Sequence, residues 1–416
     1  MRMEGTNRMP INFRADLILY FLLAICPILQ HYKGIFSNPS MEIYVVLSVV
    51  MIYRLIQKNR IFLKPIIPLF IYGVYASFIH GFSVMNFLRE MLQIVIYLAI
   101  LNECIQVKDL MKVCTFIAKF ATCILMVQYV SYYVLGRHLQ LVPTGLLLDR
   151  AEQWIMLAKT GIIDVNGNVM SFYRPSAIFL EPSHFAIYCI PVLFYNLFSD
   201  RDKHIGGSVF ISLGVLMSTS GIGLVALVAI WSLYVVFIKF NIFGEIEFKI
   251  KNMFRSKSLL FICGGIAAFC VLFFAVGSFR QSVLRIFVSS AGEKTAIQGR
   301  TSTGIRALAL LKGKQNLIGV GDSISVVDWN MSGFFLTFFV YGLIGVILFY
   351  AFYVIGLKKL KGISFWMSII IIGLSIFTVH MYAAYYKMYY TFIVIAGYID
   401  NRKILETKVK GLLRIK

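Results

Sequence analysis

The residues best suited to chemistry lie in the segment YRPSAIFLEPSHFAIY at 173–188, which joins a long polar stretch to an apolar one. Arg174 precedes one proline, and Glu181 and His184 flank another. A guanidinium stays protonated and binds phosphate oxygens through two hydrogen bonds, so Arg174 suits the stabilisation of a phosphate leaving group. Glu181 is the first candidate for a general base, with an ion pair to Arg174 as the structural alternative. His184 is a second base candidate or a structural group where a helix begins.

A second group of basic residues follows in a glycine-rich stretch nearer the C-terminus. Ser302 or Thr303 is predicted to cap a short helix that contains Arg306 and ends at Gly313. Arg300 would then lie just before the N-terminus of this helix, where backbone N–H groups also attract anions.

Together these residues predict a site that stabilises negative charge on a departing pyrophosphate. We expect Arg174, Arg300 and Arg306 to contribute most, with Arg285 as a weaker fourth group in substrate binding. Removing one such group typically costs about 2.7–4 kcal/mol of transition-state stabilisation. Asp322 is a further candidate for substrate binding or for the base. The alternative for arginines beside a membrane is contact with lipid headgroups.

The composition indicates where this chemistry takes place. Of the 416 residues, 59% are apolar and 14% are charged, whereas about a quarter of a soluble chain is charged. The 40 Lys and Arg exceed the 19 Asp and Glu, which gives a net charge of +21. In a soluble protein this excess would favour nucleic-acid binding, but here the basic residues fall between long apolar runs. The chain is therefore predicted to be an all-α polytopic integral membrane protein that binds no nucleic acid.

Twelve apolar runs approach the length of about 20 residues that a transmembrane helix needs. They lie at 16–35, 41–56, 65–82, 84–102, 111–135, 184–198, 205–219, 221–240, 259–277, 334–357, 363–381 and 388–400. The basic N-terminal residues lead into the first run without a cleavage site, so we expect no cleaved signal peptide.

The basic residues also predict the orientation of the chain. Of the 40, 25 fall on the side assigned to the cytoplasm, while the short outward connections hold only Lys33 and Lys387. This asymmetry follows the positive-inside rule and places both termini in the cytoplasm. Arg89 and Lys119 fall inside spans, within two turns of an end, where we expect their side chains to reach the membrane surface.

Two long outward loops, 136–183 and 278–333, hold 11 basic residues that orientation does not explain. The first loop is electrically balanced, whereas the second has seven basic against three acidic residues. In the first loop, the amphipathic segment 144–161 is predicted to lie in the membrane interface, either as a resting helix or as a lid. The chain is thus predicted to have five parts. Five transmembrane helices lie at 1–135, the first loop at 136–183 and four helices at 184–277. The second loop lies at 278–333, and three helices with a basic tail lie at 334–416.

The sequence predicts neither a metal ion nor another cofactor. Its six histidines show no metal-ligand spacing, and it has no phosphate-binding Gly-Lys-Ser/Thr loop. All seven cysteines lie in or beside apolar runs, so we expect no external disulfide. The arginines would supply the positive charge that a divalent cation could supply elsewhere.

This arrangement resembles the O-antigen polymerases of bacterial polysaccharide export, which share an architecture with the O-antigen ligases. The resemblance extends along the whole chain as a layout of spans, and its motifs cover about 60 residues. The segments that carry it are RPSAIFLEPSHFAIY (174–188), STSG (218–221), NLIGVG (316–321) and FFLTFFVYGLIGVILF (334–349).

The resemblance implies a GT-C-like glycosyltransferase of the bacterial inner membrane with two large periplasmic loops. Its substrates would be oligosaccharide repeat units linked to undecaprenyl pyrophosphate. The growing chain would pass from its lipid pyrophosphate to the incoming unit, which lengthens O-antigen or capsular polysaccharide. A chain-length regulator and a flippase are the partner proteins that the resemblance implies, beside the membrane lipids themselves.

One departure from the superfamily separates the alternatives. Ligases typically carry a His-Asn pair in the second loop, in the place that Met331 and Ser332 occupy here, and 278–333 contains no histidine. This favours the polymerase over a ligase that transfers glycan to lipid A–core, and it leaves the identity of the base open. A flippase for lipid-linked oligosaccharides would show charges along a central cavity and two internal repeats, which the sequence does not reveal.

Overall fold

The computed structural model describes residues 13–35, 38–82, 84–139, 141–147, 173–199, 205–239, 274, 277, 280, 284, 296–321, 331–359, 363–378 and 384–413. The regular elements of these residues are helices, apart from one isolated bridge between Tyr32 and Leu147. The predicted all-α architecture is confirmed for this part of the chain.

The helices follow the predicted apolar runs closely. They are α1 (Phe13–Leu29), α2 (Pro39–Ile56), α3 (Ile67–Phe78), α4 (Val84–Leu101), α5 (Val107–Tyr133), α6 (Pro182–Phe198), α7 (Ile205–Met217), α8 (Gly221–Lys239), α9 (Ala296–Ala309), α10 (Gln315–Ile318), α11 (Gly333–Lys359), α12 (Ile363–Phe377) and α13 (Ala384–Leu413). Short 3₁₀ turns lie at Lys64–Ile66 and Thr144–Leu146.

Four helices are long and apolar enough to cross a membrane: α2, α4, α5 and the Gly333–Ile355 part of α11. Five further apolar helices are shorter, with 10–17 residues. The chain is therefore a helical membrane protein. Eleven of the twelve predicted spans overlap a described helix, whereas the ninth, 259–277, lies almost wholly outside the described residues. The number of crossings and the domain boundaries stay predictions.

Helix α13 lies in the interior of the bundle and contacts α1, α4, α6, α11 and α12. Most of its tyrosines are buried, and three of their hydroxyls donate to backbone carbonyl oxygens of neighbouring helices. Tyr389 donates to Leu23 (2.6 Å) and Tyr390 donates to Ile187 (2.9 Å). A buried hydroxyl needs such a partner because no water reaches it.

The structure corrects the predicted position of one lysine. Lys387 lies in α13 and is 6% exposed, so it is not part of an outward connection. Lys119 lies in α5, twelve residues after Val107, and its position relative to the end of the span 111–135 stays a prediction. Arg89 does lie near the start of α4, as predicted.

Helix α11 is broken at Gly342, whose φ of 67° and ψ of −171° are not helical. The rings of Phe334 and Tyr350 lie 6.0 Å apart, although 16 residues of straight helix would separate their backbones by about 24 Å. The two halves of the helix, 333–341 and 343–359, therefore meet at a sharp angle.

The segment before the break is held by other parts of the chain. Val320 N donates to the Phe339 carbonyl and Gly321 N to the Val340 carbonyl, both at 3.0 Å. His80 Nε2 lies 2.8 Å from the same Val340 oxygen, and the Tyr75 hydroxyl donates to Tyr341 at 2.9 Å. Carbonyl groups freed by a break must find such partners in a membrane protein.

Candidate functional site

The candidate site lies where α6 begins, at the same end of the bundle as the two predicted loops. Glu181 is the residue before Pro182 and is extended (φ −135°, ψ 154°), as the steric demands of a following proline favour. Its carboxylate accepts a hydrogen bond from Ser183 Oγ at 2.5 Å and lies 3.9 Å from Nε2 of His184. The structure thus brings together the two base candidates of this segment.

His184 is 1% exposed and packs against residues from two distant parts of the chain. Its ring stacks on His31, with centroids 4.7 Å apart and planes 2° from parallel, and lies 5.2 Å from the ring of Tyr386. We call His31, Glu181, His184 and Tyr386 the histidine cluster. Sequence analysis missed His31 because 153 residues separate it from His184 and no spacing motif links them.

His31 is buried just after α1 ends. Burial, together with neighbouring His184, lowers the pKa of His31 to about 3. Its imidazole is therefore neutral at pH 7 and places no positive charge beside the carboxylate of Glu181. A neutral imidazole can accept a proton as a carboxylate can, so Glu181 and the histidines all stay candidates for the base.

The segment that carries Arg174 and Glu181 is pinned to the end of α5. Gln128 accepts a hydrogen bond from Ala177 N at 2.8 Å and donates to the Leu139 carbonyl at 3.2 Å. Tyr173 N donates to the Tyr133 hydroxyl at 3.2 Å. Ala177 has a φ of 54°, which is unfavourable for a residue with a side chain and persists only where the surroundings hold it. Arg174 is half-buried in this segment.

The second predicted group is arranged differently from the expectation. Helix α9 begins at Ala296, so Arg300, Ser302 and Thr303 all lie inside it, and Arg300 does not precede its N-terminus. The predicted cap and the anion-binding argument for Arg300 were therefore wrong. The error has a physical reason: hydroxyl residues favour helix caps but are also tolerated within a helix, and Thr295, directly before Ala296, is an earlier residue of the same type that was not considered.

Helix α9 also ends before the predicted residue. Its last residue is Ala309, and Gly313 (φ 52°) lies in the turn that leads into α10. Arg306 is exposed on α9, whereas Ala307 of the same helix is buried. Arg306 follows Arg300 by six residues, and each residue of an α-helix rotates the chain by about 100°. The total of about 600° is about 120° short of two full turns, so the two positions lie about 120° apart around the helix axis.

Three other predictions concern positions with little or no described structure. Arg285 and Asp322 lie outside the described residues, as does the 148–161 part of the predicted interfacial helix. Met331 and Ser332, which occupy the place of the ligase His-Asn pair, are buried, at 1% and 0% exposure. In the described part of the chain, no three His, Cys, Asp or Glu side chains form a group that could hold a metal ion.

This chain matches no protein-family model, no curated protein and no solved structure. Its chemistry must therefore be inferred from the residues themselves. The described part of the site offers a carboxylate beside two stacked imidazole rings, and a guanidinium seven residues away in the same pinned segment. Such a set can accept a proton from a hydroxyl and stabilise an anion.

Proposed function

We propose that this chain is a glycosyltransferase that polymerises undecaprenyl-pyrophosphate-linked oligosaccharide units into O-antigen or capsular polysaccharide at the outer face of the bacterial inner membrane. The observation that supports it best is the carboxylate of Glu181 beside His184, in the pinned segment that also holds Arg174. The motif resemblance and the basic second loop support the same function.

In the proposed reaction, Glu181 accepts the proton of a hydroxyl on the incoming repeat unit. The hydroxyl oxygen forms a bond with the anomeric carbon of the growing chain, and the bond from that carbon to the pyrophosphate oxygen breaks. The electron pair leaves with undecaprenyl pyrophosphate. Arg174, with Arg300 and Arg306 from α9, stabilises the developing negative charge.

A flippase for lipid-linked oligosaccharides is the second candidate. One observation favours it: Lys387 is buried near Glu90 within the helix bundle, and charged residues inside a membrane protein often line a substrate path. We prefer the polymerase, because a flippase has no evident use for a carboxylate and an arginine pinned at the end of the bundle.

Deletion of the gene in its host distinguishes the candidates. Loss of a polymerase leaves surface glycan with a single repeat unit in place of a ladder on a gel. Loss of a ligase removes attached glycan altogether, and loss of a flippase leaves lipid-linked units facing the cytoplasm.

The site assignment is tested with Arg174→Ala and Arg300→Ala in the same host. Each variant should collapse the ladder while the amount of protein in the membrane stays normal. Unchanged ladders from both variants would refute the role of these arginines in stabilising the leaving group.

A further inference from the structure

The connection between α2 and α3, residues 57–66, holds one aromatic side chain inward. Phe62 packs against the hydrophobic core of the bundle. The side chain of Asn102, in the turn between α4 and α5, accepts a hydrogen bond from Phe62 N at 2.7 Å and donates one to the Phe62 carbonyl at 3.2 Å. The guanidinium of Arg402 in α13 lies over the ring, 5.3 Å from its centroid. Two other parts of the chain therefore fix both the backbone and the ring of Phe62.

The residues on either side of Phe62 face away from the bundle. Ile61 is 45% exposed and Leu63 is 51% exposed. The connection also continues the apolar surface of the two helices that it joins, because Ile56 at the end of α2 and Ile67 at the start of α3 are exposed as well. Exposed apolar side chains that lie together mark a surface that contacts lipid or another protein.

Basic residues flank the exposed pair. The connection contains Lys58, Arg60 and Lys64 and no acidic residue. Arg60 and Lys64 are exposed, and neither forms an ion pair with another residue that the structure describes. In contrast, Arg402 beside Phe62 is paired with Glu103 at 2.9 Å. The positive charge of the connection is thus available to an anion from outside the chain.

Exposed apolar and basic side chains together match the surface of a membrane that contains anionic lipid. The apolar groups can reach the boundary between headgroups and acyl chains, while the cations contact headgroup phosphates. The positive-inside rule needs the charges alone and does not require Ile61 and Leu63 to face outward. A membrane surface is favoured over an acidic protein because the connection directly continues two apolar helices of a membrane protein.

We infer that Arg60, Ile61, Leu63 and Lys64 form a binding surface for an anionic phospholipid in the leaflet at this end of the bundle. Ile61 and Leu63 insert below the headgroups, and the two cations contact the lipid phosphate. We call these four residues the lipid surface. Because Asn102 and α13 hold Phe62, the surface keeps its orientation before lipid binds. The inference does not depend on the proposed function.

The test measures backbone hydrogen exchange of the purified full-length chain in lipid nanodiscs. The nanodiscs contain phosphatidylcholine alone or with phosphatidylglycerol, which supplies the negative charge. Exchange in the peptide 57–66 should slow by about threefold or more when phosphatidylglycerol is present, because a bound lipid excludes water from the connection. Equal exchange in the two lipids would overturn the inference and leave an acidic protein as the partner to consider.

The contribution of charge is tested by replacing both cations of the surface. Arg60→Gln with Lys64→Gln should abolish the slowing that phosphatidylglycerol causes. The matched control is Lys108→Gln with Lys112→Gln, which removes two exposed lysines at the start of α5, beside the buried Leu110. The control should slow as the wild type does. Slowing that persists in the first pair, or that is lost in the control, would show that no specific surface exists at 57–66.

The contribution of the apolar side chains is tested without changing any charge. Ile61→Ser with Leu63→Ser should lose most of the slowing. Soluble glycerol phosphate, added to phosphatidylcholine nanodiscs, supplies the anion without a lipid and should leave exchange unchanged. Full slowing in the serine pair, or equal slowing by the soluble phosphate, would overturn the lipid surface. All four substituted residues are exposed, so the variants should unfold at the wild-type temperature, and either pair decides if the other does not fold.

Discussion

The two segments predicted to supply cations differ in how the rest of the chain holds them. The first, 173–181, is pinned by side chains of α5 and carries a half-buried arginine beside buried neighbours. The second, α9, is an amphipathic helix with Arg306 on its exposed side. Burial excludes water and strengthens electrostatic interactions, so equal charges have unequal influence in the two segments. Residue type predicts what chemistry is available, and burial determines how strongly it acts.

The largest effect is expected at Gly342, where α10, the short helix after the second segment, packs against α11. An alanine at Gly342 would need a positive φ, and its Cβ atom would lie 2.3 Å from the carbonyl of Leu317. Gly342→Ala should therefore lower the free energy of unfolding by well over about 2 kcal/mol, with a matching loss of monodisperse protein on size exclusion.

The control for this prediction is Gly373→Ala in α12, where an added Cβ atom meets nothing within 4 Å. This variant should unfold at the wild-type temperature or slightly above it, because alanine favours a helix over glycine. A Gly342→Ala protein with wild-type thermal stability would show that the break in α11 is not required.

The next largest effect concerns the carboxylate of the first segment. In Glu181→Gln the amide oxygen can still accept the hydrogen bond from Ser183. The amide cannot act as a general base, so polymer formation should fall by about 100-fold or more. Ladder intensity at matched protein levels measures this. Wild-type ladders from Glu181→Gln would remove Glu181 from the reaction and leave it a structural residue.

A smaller effect should follow from releasing the first segment. Gln128→Leu leaves the buried N–H of Ala177 without its acceptor, which costs about 1–3 kcal/mol. We expect lower thermal stability together with a weaker ladder, because Arg174 loses its fixed position. Gln106→Leu, at an exposed glutamine beside α5, is the matched control and should change neither.

The smallest effect is expected at Arg306. Because it is exposed, Arg306→Ala should change the unfolding free energy by less than about 0.5 kcal/mol. A role in charge stabilisation would reduce the ladder by about tenfold, less than Arg174→Ala does, since water screens exposed charges. A loss as large as that of Arg174→Ala would mean that substrate buries this face of α9, and the contrast between the segments would disappear.

Much of the fold could be predicted from the sequence because span length and apolar content are local properties. Eleven predicted spans overlap helices, with ends within a few residues in most cases. Local pattern also located Glu181 and His184 together at the start of α6. These features need no knowledge of distant contacts.

The residues that sequence analysis missed depend on distant contacts. His31 meets His184 across 153 residues, and Lys387 meets Glu90 across 297. The prediction that Lys387 lies in a connection between helices was wrong because a lysine beside tyrosines resembles a short connection when its partners are unknown. The break at Gly342 was missed for the same reason, since the run around it is uniformly apolar.

The tyrosine-rich interior of α13 has a consequence for the biogenesis of the chain. This helix carries hydroxyls that donate to α1 and α6, and a lysine that interacts with α4, so many of its polar groups find their partners only in the assembled bundle. A lysine opposes insertion of a helix by about 2.5–3.5 kcal/mol at the helix centre and by less in the first turn, where Lys387 lies. As the last of the described helices to leave the ribosome, α13 can be accepted by partners already in the bilayer. Truncation before Ala384 should therefore leave a membrane-inserted bundle with an open polar interior, which membrane quality-control proteases would recognise and degrade.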